Sequence, residues 1–335
     1  MENTPLPYSY KLMLSCPSGL PPSQVFVDFN QKYDRIQHPD IDLENSMDEI
    51  WNRKAQQNPS LYSGKKFRYG GHALLAGPDG QELDCRVFLH LGLTDYRSFM
   101  GTNLNPLWEK FLVPSEDETV RCQHTANPLG NGAVVETSDG KILLLKRSNN
   151  VGEFPGHFVF PGGHPEPEEV GIISHDSSDP ELRKRRVAQE MFDSIIREVV
   201  EETGVPAESL KNPVFIGISR RELNVRPTAF FFMKCTLQSS EIQKLYASAQ
   251  DGFESTQLYA VSECRKLRLA SLKFGSQTDV TALDPQMSQK FGPCIAHALT
   301  FEYVSCLVST CWFLCFDLVW CFCSLYVFIF SHDCH

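Results

Sequence analysis

Apolar residues recur every fourth position at Val187, Met191, Ile195 and Val199, and Ile196 and Val200 widen the stripe. That is the period of a helix with one buried face. Start and stop signals bracket the same stretch: Asp179 suits an N-cap and Pro180 the first turn, while Gly204 suits a left-handed C-cap with Pro206 beyond it. A helix over 180–203 is therefore predicted. Strand patterns surround it. KFRYGGHALLA and ELDCRVFLHLGL flank Pro78-Asp79-Gly80, and NPLGNGAVVE and KILLLKRS flank Asp139-Gly140, so each pair reads as a hairpin. HFVF, VFIGIS, TAFFFMKC and TQLYAV read as further strands, VGIISHDSSD as an irregular insertion, and PCIAHALTFEY as a last helix. Near the N-terminus FVDFNQKYDRI and NSMDEIWNRKAQQNP read as partly helical, the second capped by Asn45 or Ser46, while TDYRSFMGTN and PSEDETV read as loop or short helix. Strands, a helix, more strands and another helix imply an α/β/α sandwich around a mixed sheet over 126–302. A smaller α+β N-terminal domain is expected over 1–125.

The tail changes character. From Tyr303 to Phe330 there is a single charge, Asp317, and six of the twelve cysteines fall after residue 305. This run is long and apolar enough for a membrane-spanning helix, but no Lys or Arg flanks it to set an orientation. Residues 303–335 are read as an atypical ending in preference to a membrane anchor. The N-terminus lacks the basic residues and apolar core of a secretory signal. A reducing, cytoplasmic or nuclear setting is the expectation. With 31 Lys and Arg against 41 Asp and Glu, the net charge of −10 argues against nucleic acid as a partner.

The chemistry concentrates at the end of the long helix, in REVVEETG (197–204). Glu198, Glu201 and Glu202 stand at i, i+3 and i+4 and share a face. Like charges so spaced repel by a few tenths of a kcal/mol per pair, so the cluster either faces open solvent or seats a cation. Carboxylate oxygens suit hard divalent ions, Mg²⁺ first and Mn²⁺ second. Upstream, Gly162-Gly163 permits a backbone course closed to residues with a Cβ, and Glu169 adds a fourth carboxylate.

Together Gly163-x5-Glu169 and Arg197-Glu-Val-Val-Glu-Glu-Thr-Gly-Val205 resemble the signature box of the Nudix hydrolases, the second half matching at every position. Residues 170–196 separate the two halves here, where the family usually has seven residues. The expanded box, LHLGLTDYRSFMGTN (89–103), PLGNGAVVE, FPGGHPEPEE and GISRREL are similar to the branch of the family that cleaves UDP-glucose and UDP-galactose with Mg²⁺. The resemblance implies Mg²⁺-dependent hydrolysis of a UDP-sugar, a small-molecule nucleotide sugar, to UMP and sugar 1-phosphate. It implies Glu198 and Glu202 as metal ligands with Glu201 as a further one. It also implies Arg197 orienting the cluster through an ion pair with Glu169, and Glu169 helping to position the attacking water.

Substrate contacts are expected at Arg147, which follows KILLLK, at Gly152 in the loop toward the box, and at Tyr62 and Tyr96 as rings for the uracil. For a single tyrosine, half-buried packing is the plainer reading. Two other functions compete: a Nudix hydrolase of ADP-ribose, coenzyme A or capped RNA, and a nucleotide-binding module without catalysis. No proline follows the box between Val214 and Arg226, unlike the ADP-ribose hydrolases of the family, and the acidic balance disfavours RNA. An intact repulsive glutamate cluster argues for catalysis.

Overall fold

The computed structural model describes residues 10–75, 86–149, 156–176, 178–250 and 255–262. Two sheets and one long helix organise them. The larger sheet runs β1 (Tyr10–Leu20), β8 (Val214–Arg221), β9 (Pro227–Lys234), β5 (Gly130–Glu136), β6 (Lys141–Arg147), β10 (Ser255–Ser262), with the short β7 (Phe158–Val159) paired to β6. β5 and β9 pair in parallel, and every other pairing in it is antiparallel. This is the mixed sheet expected. The smaller sheet runs β2 (Val25–Phe29), β4 (Arg86–Asp95), β3 (Lys65–Leu75).

Helix α4 (Pro180–Thr203) has the predicted bounds and caps: Asp179 accepts from the Leu182 amide, and Gly204 sits at φ 74°. Val187, Met191, Ile195 and Val199 are all fully buried, each stabilising by about 1.5–3 kcal/mol through lost water contact. The helix touches β5 on one side and β2 on the other, so it lies between the two sheets. One continuous core follows, joining Leu14, Phe29, Phe67 and Leu89 to Met191, Ile195 and Phe231. The opposite face of the larger sheet buries a second cluster around Val134, Ile142, Phe160 and Phe230. The expected last helix, PCIAHALTFEY, lies outside the described residues, as do the Pro78-Asp79-Gly80 turn and the 303–330 run. Among the described residues no helix is long and apolar enough to cross a membrane.

The N-terminal stretch departs from expectation in three ways. FVDFNQKYDRI holds no α-helix: Val25, Val27 and Phe29 are buried in alternation on β2, and its helical part is one 3-10 turn (Gln31–Tyr33), with Asn30 accepting from the Lys32 amide. A period of two, filled by Val and Phe, outweighed the helix pattern. Helix α1 (Ile41–Gln57) begins earlier than Asn45, because Asp40 accepts from the amides of Asp42 and Leu43. Strand β1 leaves the N-terminal stretch altogether and pairs with β8, Tyr10 opposite Arg221. TDYRSFMGTN forms α2 (Tyr96–Gly101) and PSEDETV leads into α3 (Glu118–Arg121). An unforeseen α5 (Ser239–Tyr246) carries a capping box from Gln238 and Glu241.

Candidate active site

The site is assembled where the loop after β7 crosses the last turns of α4. That loop lies along the start of β5: the Asn131 amide donates to Gly163 O at 3.0 Å and the Ala133 amide to Pro161 O at 2.8 Å. Buried Asn131 ties the two parts together. Its Oδ1 accepts from the Gly163 amide at 2.7 Å, and its Nδ2 donates to Ser194 Oγ of α4 at 3.0 Å. Gly162 adopts φ 157°, and a Cβ there would sit 2.8 Å from Gly132 Cα, so only glycine fits. A Cβ on Gly163 would overlap the Glu198 carboxylate.

The two glutamates expected as ligands face this turn. Glu202 Oε2 accepts from the Gly162 amide at 2.7 Å, and Glu198 Oε1 accepts from the His164 amide at 3.2 Å. Glu202 is only 7% exposed, so the cluster is no solvated helix end. Its carboxylates are answered by backbone donors, as a buried charge requires. Glu201 is half-buried on the same helix turn, and Glu169 is exposed on the 3-10 turn Pro167–Val170. Among the described residues no group of three or more His, Cys, Asp or Glu side chains stands ready to share one metal ion.

Arg197 pairs with Glu190, not with Glu169: Nη2 lies 2.8 Å from Glu190 Oε1, and that side chain is 3% exposed. The Glu166 amide donates to the same oxygen at 3.0 Å. Burial works against the guanidinium charge, but the Glu190 hydrogen bond and the charges of Glu190, Glu169 and Glu198 raise its pKa overall. Glu190 precedes Arg197 and Glu198 by seven and eight residues. It therefore shares their face, a spacing visible in the sequence but overlooked because the box motif pointed to Glu169. The inserted residues extend α4 backwards, which brings a helix carboxylate within reach and leaves Glu169 at the surface.

Three further side chains reach the turn. Arg226 Nη2 donates to His164 Nε2 at 2.9 Å. Burial, then the charges of Arg226 and Lys66, push the His164 pKa well below its ordinary 6.5, so the ring is neutral and Nε2 accepts. Lys66 of β3 forms an ion pair with Glu166, and Tyr62 OH donates to Glu168 Oε1 at 2.9 Å. The N-terminal sheet thus grips the box loop directly. Tyr62 is 69% exposed. Tyr96 is half-buried at the start of α2, its ring 6.3 Å from that of Phe99, and Phe99 in turn lies 5.7 Å from the Arg226 guanidinium. Arg147 ends β6 opposite Ser255, its amide donating to His157 O at 2.8 Å. Gly152 lies outside the described residues. Nothing in the sequence singled out Lys66, Asn131, His164 or Arg226, since each acts through a partner remote along the chain.

A mixed sheet, a glycine turn and a glutamate-bearing helix held beneath it define a site of the Nudix type in an α/β fold. A family model of the NUDIX domain matches residues 127–273. Nudix hydrolase 9 of Arabidopsis thaliana is 61% identical over 266 residues, covering 78% of this chain and 85% of that protein. Uridine diphosphate glucose pyrophosphatase NUDT22 of Mus musculus is 33% identical over 274 residues (79% of this chain, 85% of that one). Its Homo sapiens counterpart is 33% identical over 266 residues (77% and 84%). The chain belongs to the Nudix hydrolase family, whose members act on small nucleotide substrates and generally use divalent ions such as Mg²⁺.

Proposed function

We propose that this chain is a divalent-cation-dependent diphosphatase of UDP-sugars, taking UDP-glucose and UDP-galactose to UMP and sugar 1-phosphate. The observation that carries the hydrolytic part is the placement of Glu198 and Glu202 on either side of the Gly162–His164 turn, one of them buried. Their hard oxygens fit Mg²⁺ or Mn²⁺. Glu198 and Glu202, with Glu201 beside them, would hold the ion after turning from the loop amides. Such an ion, when bound, would supply charge neutralisation on the diphosphate and lower the pKa of bound water.

The remaining work falls to the chain itself. Glu190 holds Arg197 and the Glu166 amide at once, locking α4 to the loop. Gly163 lets the backbone approach where a side chain would collide with Glu198. Tyr62 and Lys66 bond the same loop; in this reading Tyr62 and Tyr96 would stack on the uracil ring, Arg147 would clamp a phosphate, and Gly152 would let the backbone approach the ligand. The UDP-sugar assignment draws on the 33% identity to proteins that bear that activity in their names.

The test is a product assay over UDP-glucose, UDP-galactose, ADP-ribose and coenzyme A, with and without Mg²⁺. UMP and sugar 1-phosphate should appear only with the ion. Turnover of ADP-ribose or coenzyme A alongside inert UDP-sugars would overturn the substrate assignment while leaving the chemistry.

A further inference from the structure

We infer that Arg226 binds the diphosphate of the substrate, and that the strained turn before it exists to aim it there; this rests on the reading of the site as a nucleoside diphosphate hydrolase. Four observations converge. Asn224 and Val225 adopt φ 58° and 47° in succession. Left-handed backbone is rare for any residue with a side chain and most unfavourable for a β-branched one. Such strain persists only where the surroundings enforce it, and it gathers at functional sites.

The enforcement is visible. Asn103 Nδ2 donates to Asn224 O at 2.8 Å, Arg221 Nε donates to Asn224 Oδ1 at 3.1 Å, and the Arg221 amide donates to Arg226 O at 3.1 Å. Pro227 follows at once and holds Arg226 extended, at φ −74° and ψ 122°.

The destination is the box. Besides its bond to His164, Arg226 Nη2 lies 3.0 Å from the position a Gly130 Cβ would take, and Gly163 O lies 3.5 Å from that same point. The guanidinium therefore stands between the start of β5 and the glycine turn, half-buried and bonded to the ring of His164, whose own amide holds Glu198.

Charge supplies the last argument. An anionic substrate must enter a face carrying Glu190, Glu198, Glu201 and Glu202 on a chain of net charge −10. Arg226 Nη2 meets His164 Nε2 and its guanidinium lies 5.7 Å from the Phe99 ring of α2, a mounting that suits a planar fork meeting phosphate oxygens.

The experiment uses the full chain and three forms: wild type, Arg226→Gln and Arg226→Lys. Arg226→Gln should raise the KM of the best substrate by about tenfold or more, and Arg226→Lys should recover part of that. Calorimetry should show weaker binding of UDP, and of inorganic pyrophosphate with Mg²⁺, while uridine binds as to wild type. A merely structural role would weaken uridine and UDP alike. Wild-type affinity of Arg226→Gln for pyrophosphate and UDP, or equal loss for uridine and UDP, overturns the inference. If the wild type prefers another nucleoside diphosphate compound, that compound and its nucleoside replace UDP and uridine. The UDP-sugar assignment can then fail while this one stands. Pyrophosphate titration still decides the matter if no turnover is found. Should Arg226→Gln not fold, Arg226→Lys carries the same comparison.

Discussion

Helix α4 is held by opposite means at its two ends. From Pro180 to Gln189 its charged contacts to the N-terminal sheet are long, half-exposed side chains flanking buried Val187. Lys184 Nζ lies 3.8 Å from Asp28 Oδ1 and 3.0 Å from Glu181 Oε1, and Arg183 stacks over Phe29 at 5.3 Å and bonds His175 O. From Glu190 to Thr203 the carboxylates that face the loop are buried or half-buried: Glu190 meets the Arg197 guanidinium and the Glu166 amide, Glu198 the His164 amide, and Glu202 the Gly162 amide. Water screens the first set and costs its loss little. Buried Glu190 and Glu202 have no water to fall back on, so their partners are obligatory. Docking a sheet tolerates loose contacts, whereas holding carboxylates for chemistry does not.

Substitutions at the second end should have the largest effects. Glu202→Gln or Glu198→Gln should lower kcat by about 10²–10³-fold or more with the fold intact; near-normal turnover in either would remove these residues from the reaction. Glu190→Ala strands the half-buried Arg197 and the Glu166 amide, and should cost about 3 kcal/mol in urea unfolding. Glu169→Ala should stay within about 0.5 kcal/mol. Equal losses at the two positions would contradict the pairing seen here.

An intermediate effect is expected where β1, α3 and β8 meet. Burial pushes the Glu118 carboxyl up, but the Lys11 hydrogen bond and the charges of Arg220 and Arg121 bring its pKa below the ordinary 4.5. A depressed carboxylate stabilises the fold above its unfolded value, and that contribution is lost as pH falls through the folded value. The urea midpoint should therefore drop below about pH 4.5, and Glu118→Gln should flatten that limb. An unchanged acid limb in the variant would assign the drop to other groups. The smallest effect is predicted for Lys184→Ala at the first end, about 0.5 kcal/mol or less. A loss of several kcal/mol there would erase the contrast between the ends.

Much of this was legible along the chain because it is local. The bounds of α4, its Asp179 and Gly204 caps, the Asp139-Gly140 hairpin and the glutamate spacing all depend on residues a few positions apart. The resemblance of the box located Glu198 and Glu202 correctly on one helix face. Where sequence reasoning erred, the deciding contact was distant. VFVDF is short enough for either period, and only its pairing with β4 made it a strand. The Arg197 partner depended on how far the inserted residues carry α4 back under the loop.

The amino-acid order by itself therefore determined α4 with its caps, the hairpin at Asp139-Gly140 and the family of chemistry, since hydrogen bonds and apolar periods within an element need no other part of the chain. Tertiary structure alone decided that β1 crosses into the larger sheet, that Glu190 takes Arg197, and that the Asn224–Val225 turn brings Arg226 to the glycine loop. Those outcomes turn on burial and on charges finding partners across the fold, and neither exists until the sheets have closed on the helix.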